Sequence, residues 1–254
     1  MQDIYLWMIF SLLLGGIGFF VAFSKAMRER KRVLDSIPED IDESVTDDVM
    51  EEDERSPREQ LSGMTFVYTV IPAPAFIYVM LGAVLVGIFG VNSDVQARVA
   101  TAGLILLGLG SFFTNIGRSQ IYGDIMDGVN RWGEGSLKDF GRYTVILTMF
   151  ETLAIYAMLL FELGLVFSGI LEGEVYSSLS MQSANMYMYG VLILGISCAA
   201  SFSMAWGFDK IDGPINEDGQ KFSKKMIYMA IGHIPAIIGL IASILLLLFS
   251  GLMG

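Results

Sequence analysis

Six long stretches of the chain carry almost no charge: Ile4–Ser24, Met64–Val91, Val99–Gly117, Tyr143–Ile170, Met186–Phe208 and Met226–Gly254. A bilayer hydrocarbon core about 30 Å thick is crossed by about 20 apolar residues in helical form. Each stretch is long enough to cross, with tilt or overhang taking up the excess. Inside hydrocarbon every backbone polar group needs a partner within the segment, which favours the helix. The pattern therefore predicts an all-α membrane protein with six transmembrane helices. Only the fourth stretch contains carboxylates, Glu151 and Glu162.

The positions between the stretches predict how the helices are threaded. Lys25, Arg28, Arg30, Lys31, Arg32, Arg55 and Arg58 follow the first. Arg118, Arg131, Lys138 and Arg142 lie between the third and fourth, and Lys210, Lys221, Lys224 and Lys225 between the fifth and sixth. Of the 16 Lys and Arg residues only Arg98 falls on the other side. Basic loops stay in the cytoplasm, so both termini are expected on the outer, non-cytoplasmic side. Basic residues follow the first span rather than preceding it, as in an N-out anchor and unlike a cleaved signal peptide. The outer connections are short, such as Asn92–Arg98, and the inner ones longer. Three tandem helical hairpins follow: residues 1–24 with 64–91, residues 99–170, and residues 186–254.

Composition agrees and then sharpens the picture. The 254 residues are 54% hydrophobic and 17% charged, against roughly 25% charged in ordinary soluble domains, and the mean hydropathy is +0.58. The formal net charge of −11 is mostly local: 12 of the 27 acids lie between Asp35 and Glu59, opposed only by Arg55 and Arg58. This part of the 25–63 connection reads as an acidic cytoplasmic linker, too polar and too poor in aromatics to fold alone. A docking tail for a basic partner is the sharper reading of the same run. No basic face exists for nucleic acid, and the single Cys198 excludes a disulfide within the chain.

An internal repeat runs through the six spans. The odd-numbered spans share small-residue centres, Gly15-Gly16-Ile17-Gly18, Gly108-Leu109-Gly110-Ser111 and Gly195-Ile196-Ser197-Cys198-Ala199-Ala200. Such residues let helix backbones approach closely in lipid. The even-numbered spans read Ile71-Pro72-Ala73-Pro74-Ala75-Phe76-Ile77-Tyr78, Met149-Phe150-Glu151-Thr152-Leu153-Ala154-Ile155-Tyr156 and Gly232-His233-Ile234-Pro235-Ala236-Ile237-Ile238. Aligned, they place Ala73, Glu151 and His233 at one equivalent position.

Glu151 is the candidate for chemistry. It lies about nine residues into its span, deep in hydrocarbon at about 1.5 Å per residue. A carboxylate there is costly, and intramembrane acids commonly serve proton or ion transfer. The plainer reading is a structural acid bonded to a neighbouring helix, for instance to Asn115 or Thr114. Glu162 lies eleven residues on, on nearly the same face and about 16 Å further out, where snorkelling or hydration accounts for it. His233, the only histidine, reads as a packing residue. No nucleophile elbow, phosphate-binding loop or metal motif occurs, so no catalytic site is expected in the chain itself.

Hairpins with a Gly-rich first helix, a polar cytoplasmic turn and a mid-membrane carboxylate on the second helix resemble the proteolipid of rotary ATPases. The most similar form is the K (or c) subunit of archaeal A-type and V-type enzymes. Glu151-Thr152-Leu153-Ala154-Ile155-Tyr156-Ala157 is similar to that family's Glu-Thr-x-Ala-Ile-x-Gly signature. Ile71-Pro72-Ala73-Pro74-Ala75-Phe76-Ile77-Tyr78 is similar to its acid-less form, Leu-Pro-Gly-Thr-Gln-x-x-Tyr. The resemblance implies a membrane ring of identical chains, a stator subunit whose arginine faces Glu151, a central-stalk subunit on the cytoplasmic side, and contact with lipid. It implies that Glu151 carries the ion, with Thr152, Asn115, Thr114 and Tyr78 as possible neighbours, and that no cofactor is bound. Sodium needs several oxygens to replace its water, and Pro74 and Ala75 stand where sodium-type relatives supply Thr and Gln, so the expected ion is the proton. The alternative reading is a non-rotary integral subunit or small carrier whose Glu151 relays protons or supports assembly.

Overall fold

A computed structural model of the chain describes residues 2–36, 57–129, 136–174, 176, 179–208 and 219–250. Most of the acidic linker lies outside these residues. Among the described residues all regular structure is helical: α1 (Gln2–Asp35), α2 (Pro57–Val70), α3 (Ala73–Phe89), α4 (Asp94–Val129), α5 (Ser136–Met149), α6 (Glu151–Phe167), α7 (Met181–Phe208) and α8 (Gly219–Phe249). Taken across the breaks between α2 and α3 and between α5 and α6, six helical segments are long and apolar enough to cross a membrane. Phe20, Ile88, Ile196, Ile238 and Phe249 are among many large apolar side chains left exposed on them. So much exposed apolar surface would be a liability in water and suits a multi-pass integral membrane protein.

Several boundaries differ from expectation. α1 runs on through Lys25–Asp35 instead of ending at Ser24. Its extension buries Ala26 and Val33 and is stitched by Glu29, which pairs with Lys25 at 2.7 Å and Arg32 at 2.9 Å, the i,i+4 and i,i+3 spacings that meet on a helix surface. α4 begins at Asp94, within the expected Asn92–Arg98 connection, and continues twelve residues past Gly117. Arg118 is therefore not a loop residue. It lies inside a 36-residue helix and is wholly buried, so its placement among the basic loop residues is corrected. A polar run such as Arg118-Ser119-Gln120 reads as a helix end by composition, but tertiary partners carry the helix through it.

The second and fourth spans are each broken in the same place. α2 and α5 both have 14 residues, and α3 and α6 both have 17. The residues just before α3 and α6, Pro72 and Phe150, have almost identical angles, φ −65° ψ −23° and φ −64° ψ −23°. The backbone thus stays helical in its dihedrals while its hydrogen-bond ladder is interrupted. In span two the cause is covalent, because Pro72 and Pro74 lack N–H donors for the carbonyls of the preceding turn. Span four has no proline, and its break is explained by the site described below. α8 carries Pro235 internally and remains continuous.

α4 packs against both α1 and α7, and α3, α6 and α8 pack against this row. Small residues set the closest approaches, as the sequence led one to expect. A Cβ on Gly18 would stand 2.8 Å from the backbone of Phe112, and one on Gly108 would stand 3.1 Å from that of Ser11. A Cβ on Gly110 would meet Ala157 Cβ at 2.6 Å, and one on Gly239 would meet Ser197 Cβ at 2.5 Å. Hydrogen bonds tie α7 to α8 and the residue that follows it: Ser243 Oγ donates to Gly190 O at 2.6 Å, and Ser183 Oγ to Ser250 O at 2.7 Å. The buried apolar residues form two clusters. One joins Val79, Leu104, Leu107, Leu153, Phe161 and Leu194, and the other joins Tyr68, Tyr122, Ile125, Tyr143, Leu147 and Phe150.

Overpacking a tight helix contact costs about 1–3 kcal/mol. Gly108→Val, which forces α1 off α4, should lower the thermal unfolding midpoint in detergent accordingly. Gly63→Ala is the control, since nothing lies within 4 Å of the added carbon; it should leave the midpoint unchanged or raise it slightly.

Candidate functional site

The site is built from one face of α4. Thr114, Arg118 and Tyr122 follow one another at intervals of four, so their side chains leave the helix on one stripe. Each donates to a carbonyl at one of the two breaks. Thr114 Oγ1 donates to Phe150 O at 3.0 Å, and Tyr122 OH donates to Tyr68 O at 3.1 Å. Tyr68 O is the carbonyl whose ladder donor would be the N–H that Pro72 lacks.

Arg118 serves both breaks at once. Its Nε donates to Leu147 O at 3.0 Å, and its Nη1 donates to Ile71 O at 2.9 Å and to Asn115 Oδ1 at 3.3 Å. Its Nη2 meets Glu151 Oε2 in an ion pair. Leu147 O would accept from the N–H of Glu151 in an unbroken ladder; here it accepts from the guanidinium. Arg118 thus stabilises in span four the interruption that proline imposes in span two. The guanidinium is wholly buried and the Glu151 side chain is 14% exposed.

The pairing makes both charges tolerable. Removing two ions from water costs several kcal/mol each, which is offset only by close geometry and added hydrogen bonds. Arg118 supplies such geometry through four acceptors. Glu151 is less completely served: among the described residues its Oε1 has no hydrogen-bond partner, and neither has Asn115 Nδ2 or Ser111 Oγ. The carboxylate thus has one oxygen committed to the arginine and one uncommitted.

Glu151 is the first residue of α6, as Ala73 is the first of α3, so the alignment of these two positions matches the geometry of the breaks. Asn115 and Thr114 do lie at the site, but they bond Arg118 and Phe150 O, not the acid. Thr152 reaches back across the break, donating to Met149 O at the end of α5 at 2.7 Å. Tyr78 is half-buried. His233 holds Met229 O through Nδ1 at 2.6 Å and faces the ring of Phe150, with centroids 6.2 Å apart. It therefore packs on the break in span four through Phe150. Glu162 is exposed. Among the described residues no group of three or more His, Cys, Asp or Glu could hold a metal.

The residue that sequence reading missed is Arg118. The signal was present in the spacing Thr114, Arg118, Tyr122, but it is visible only once the third span is extended beyond Gly117. No family model, curated protein or solved structure matches the chain.

Removing one partner of a buried ion pair costs about 3–5 kcal/mol. Arg118→Met should do at least this, because it also orphans Ile71 O and Leu147 O. A double-mutant cycle with Glu151→Leu, read by thermal unfolding in detergent, should return a favourable coupling of about 0.5–3 kcal/mol. Additive losses would show that the two side chains do not interact.

Proposed function

We propose that this chain is the ion-carrying, proteolipid-type rotor subunit of a rotary ATPase of the A/V kind, with Glu151 as the carrier. In this reading the six spans form three tandem hairpins with cytoplasmic turns and outward termini. Identical chains close into a ring beside a stator subunit and above a central stalk. The observation that carries the reading is the register of the repeat. Two spans of equal build are interrupted at equal depth, and the first residue after the interruption is Ala73 in one and Glu151 in the other. A mid-span carboxylate is expensive and so points to use. The side-by-side packing of α1, α4 and α7, with the even spans laid against them, also suits a segment of a ring wall.

The proton fits this site better than sodium. Arg118 already places a positive charge on Glu151 Oε2, which opposes a second cation there, and Pro74 and Ala75 supply no side-chain oxygen. A proton needs only the uncommitted Oε1. The ionised pair is net neutral, whereas protonation of Glu151 leaves the Arg118 charge uncompensated, a cost that the loaded site carries wherever it faces lipid. Each proton moved is worth about 2.3 kcal/mol per 100 mV of membrane potential.

The same ion pair favours a second reading, the non-rotary subunit or small carrier. An arginine fixed by Ile71 O, Leu147 O and Asn115 does not depart when the acid does its work, so Glu151 then serves local relay or assembly.

A hydrophobic carbodiimide should label Glu151 selectively in membranes. Glu151→Gln should abolish both labelling and proton pumping, and the native mass of the purified complex should show many copies of the chain. One or two copies would leave only the non-rotary reading, and a silent Glu151→Gln would remove both.

A further inference from the structure

A second polar feature lies at the other end of α4. A cavity of about 1040 Å³ opens along α4 and α7 and reaches the start of α1, at the upper end of the 300–1,000 Å³ common for ligand pockets. Its floor is the α4 stripe Asp94, Arg98, Thr101, Ile105, Leu109 and Phe113. The polar members stand together at the start of the helix, and the apolar ones follow. Gly195 and Ala199 of α7 give the apolar part its depth, and Trp7 and Tyr189 line the polar part. Amphipathic rings of this kind favour the membrane–water boundary.

Length and charge identify the occupant. From Thr101 to Phe113 is twelve residues, or about 18 Å of helix, close to half of a hydrocarbon core about 30 Å thick. The apolar part thus suits an acyl chain of one leaflet. At the mouth stand two exposed carboxylates, Asp3 and Asp94, and the exposed guanidinium of Arg98. Asn185 Oδ1 accepts from Arg98 Nη1 at 3.0 Å and ties the guanidinium to α7. Guanidinium groups pair well with phosphate oxygens, while the carboxylates repel an anionic headgroup and attract an ammonium.

We propose that this cavity binds one amine-bearing, zwitterionic phospholipid. Its phosphate is held by Arg98, its ammonium lies toward Asp3 and Asp94, and one acyl chain runs along α4 past Ile105 and Leu109. The site shares no residue with the Glu151 site.

Trp7 reports on the cavity directly. The chain has three tryptophans, so the full-length Trp132→Phe, Trp206→Phe variant leaves Trp7 as the only one. It would be placed in vesicles containing equal fractions of chain-brominated phosphatidylethanolamine or chain-brominated phosphatidylglycerol. Trp7 fluorescence should be quenched more strongly by the ethanolamine lipid, and Asp3→Asn with Asp94→Asn should abolish that preference. Equal quenching by both lipids in the parent chain would overturn the proposal, as would a preference that survives the double substitution. Shielding of Trp7 from both lipids, as by a second copy seated on this face, would overturn it as well.

Discussion

Backbone carbonyls released inside a membrane have no water to turn to, and each one left alone costs several kcal/mol. Breaking two spans at corresponding places creates several such groups, and Arg118 gathers two of them. One guanidinium bonds Ile71 O in span two and Leu147 O in span four, and it uses its remaining donors on Asn115 and Glu151. Its fork of five donors suits this geometry in a way that a lysine's point charge does not. Two broken helices are thereby fastened to the continuous α4 between them.

The need for that fastening shapes the surroundings. The two apolar clusters divide along α4 on either side of Arg118, one holding Leu104 and Leu107 and the other Ile121 and Ile125. The polar centre lies where they meet. Charge this far from water requires helices close enough to exclude lipid, and Gly18, Gly108 and Gly110 provide the approach. Glycine is used here for the absent side chain, since none of the three has a positive φ. The packing of α1 and α6 on α4 and the pairing of Arg118 with Glu151 therefore support one another: loosen the glycine contacts and the pair is exposed, remove the pair and the breaks lose their anchor.

Glu151 takes its character from this arrangement. A lone acid at mid-span would be driven to neutrality. With Arg118 beside it the pair as a whole is neutral, and among the described residues one carboxylate oxygen has no partner. Glu151 therefore meets an arginine of its own chain, whereas the resemblance placed its arginine partner on a separate subunit.

Much of this was legible without coordinates. The six spans follow from length and hydropathy, because lipid imposes one dominant constraint on the backbone. The small-residue contacts follow because nothing larger permits close approach, and the matching of Ala73 with Glu151 follows from repeated residues. What composition could not supply was the fate of Arg118. A basic residue after an apolar run is assigned to a loop by default, since its burial is prohibitive unless partners exist. Those partners, Ile71 O, Leu147 O and Glu151, are distant in sequence and two of them are backbone atoms of any side-chain type. Local pattern therefore specifies where helices form in lipid, whereas the survival of a charge inside it is decided by which distant groups the packing brings within hydrogen-bond reach.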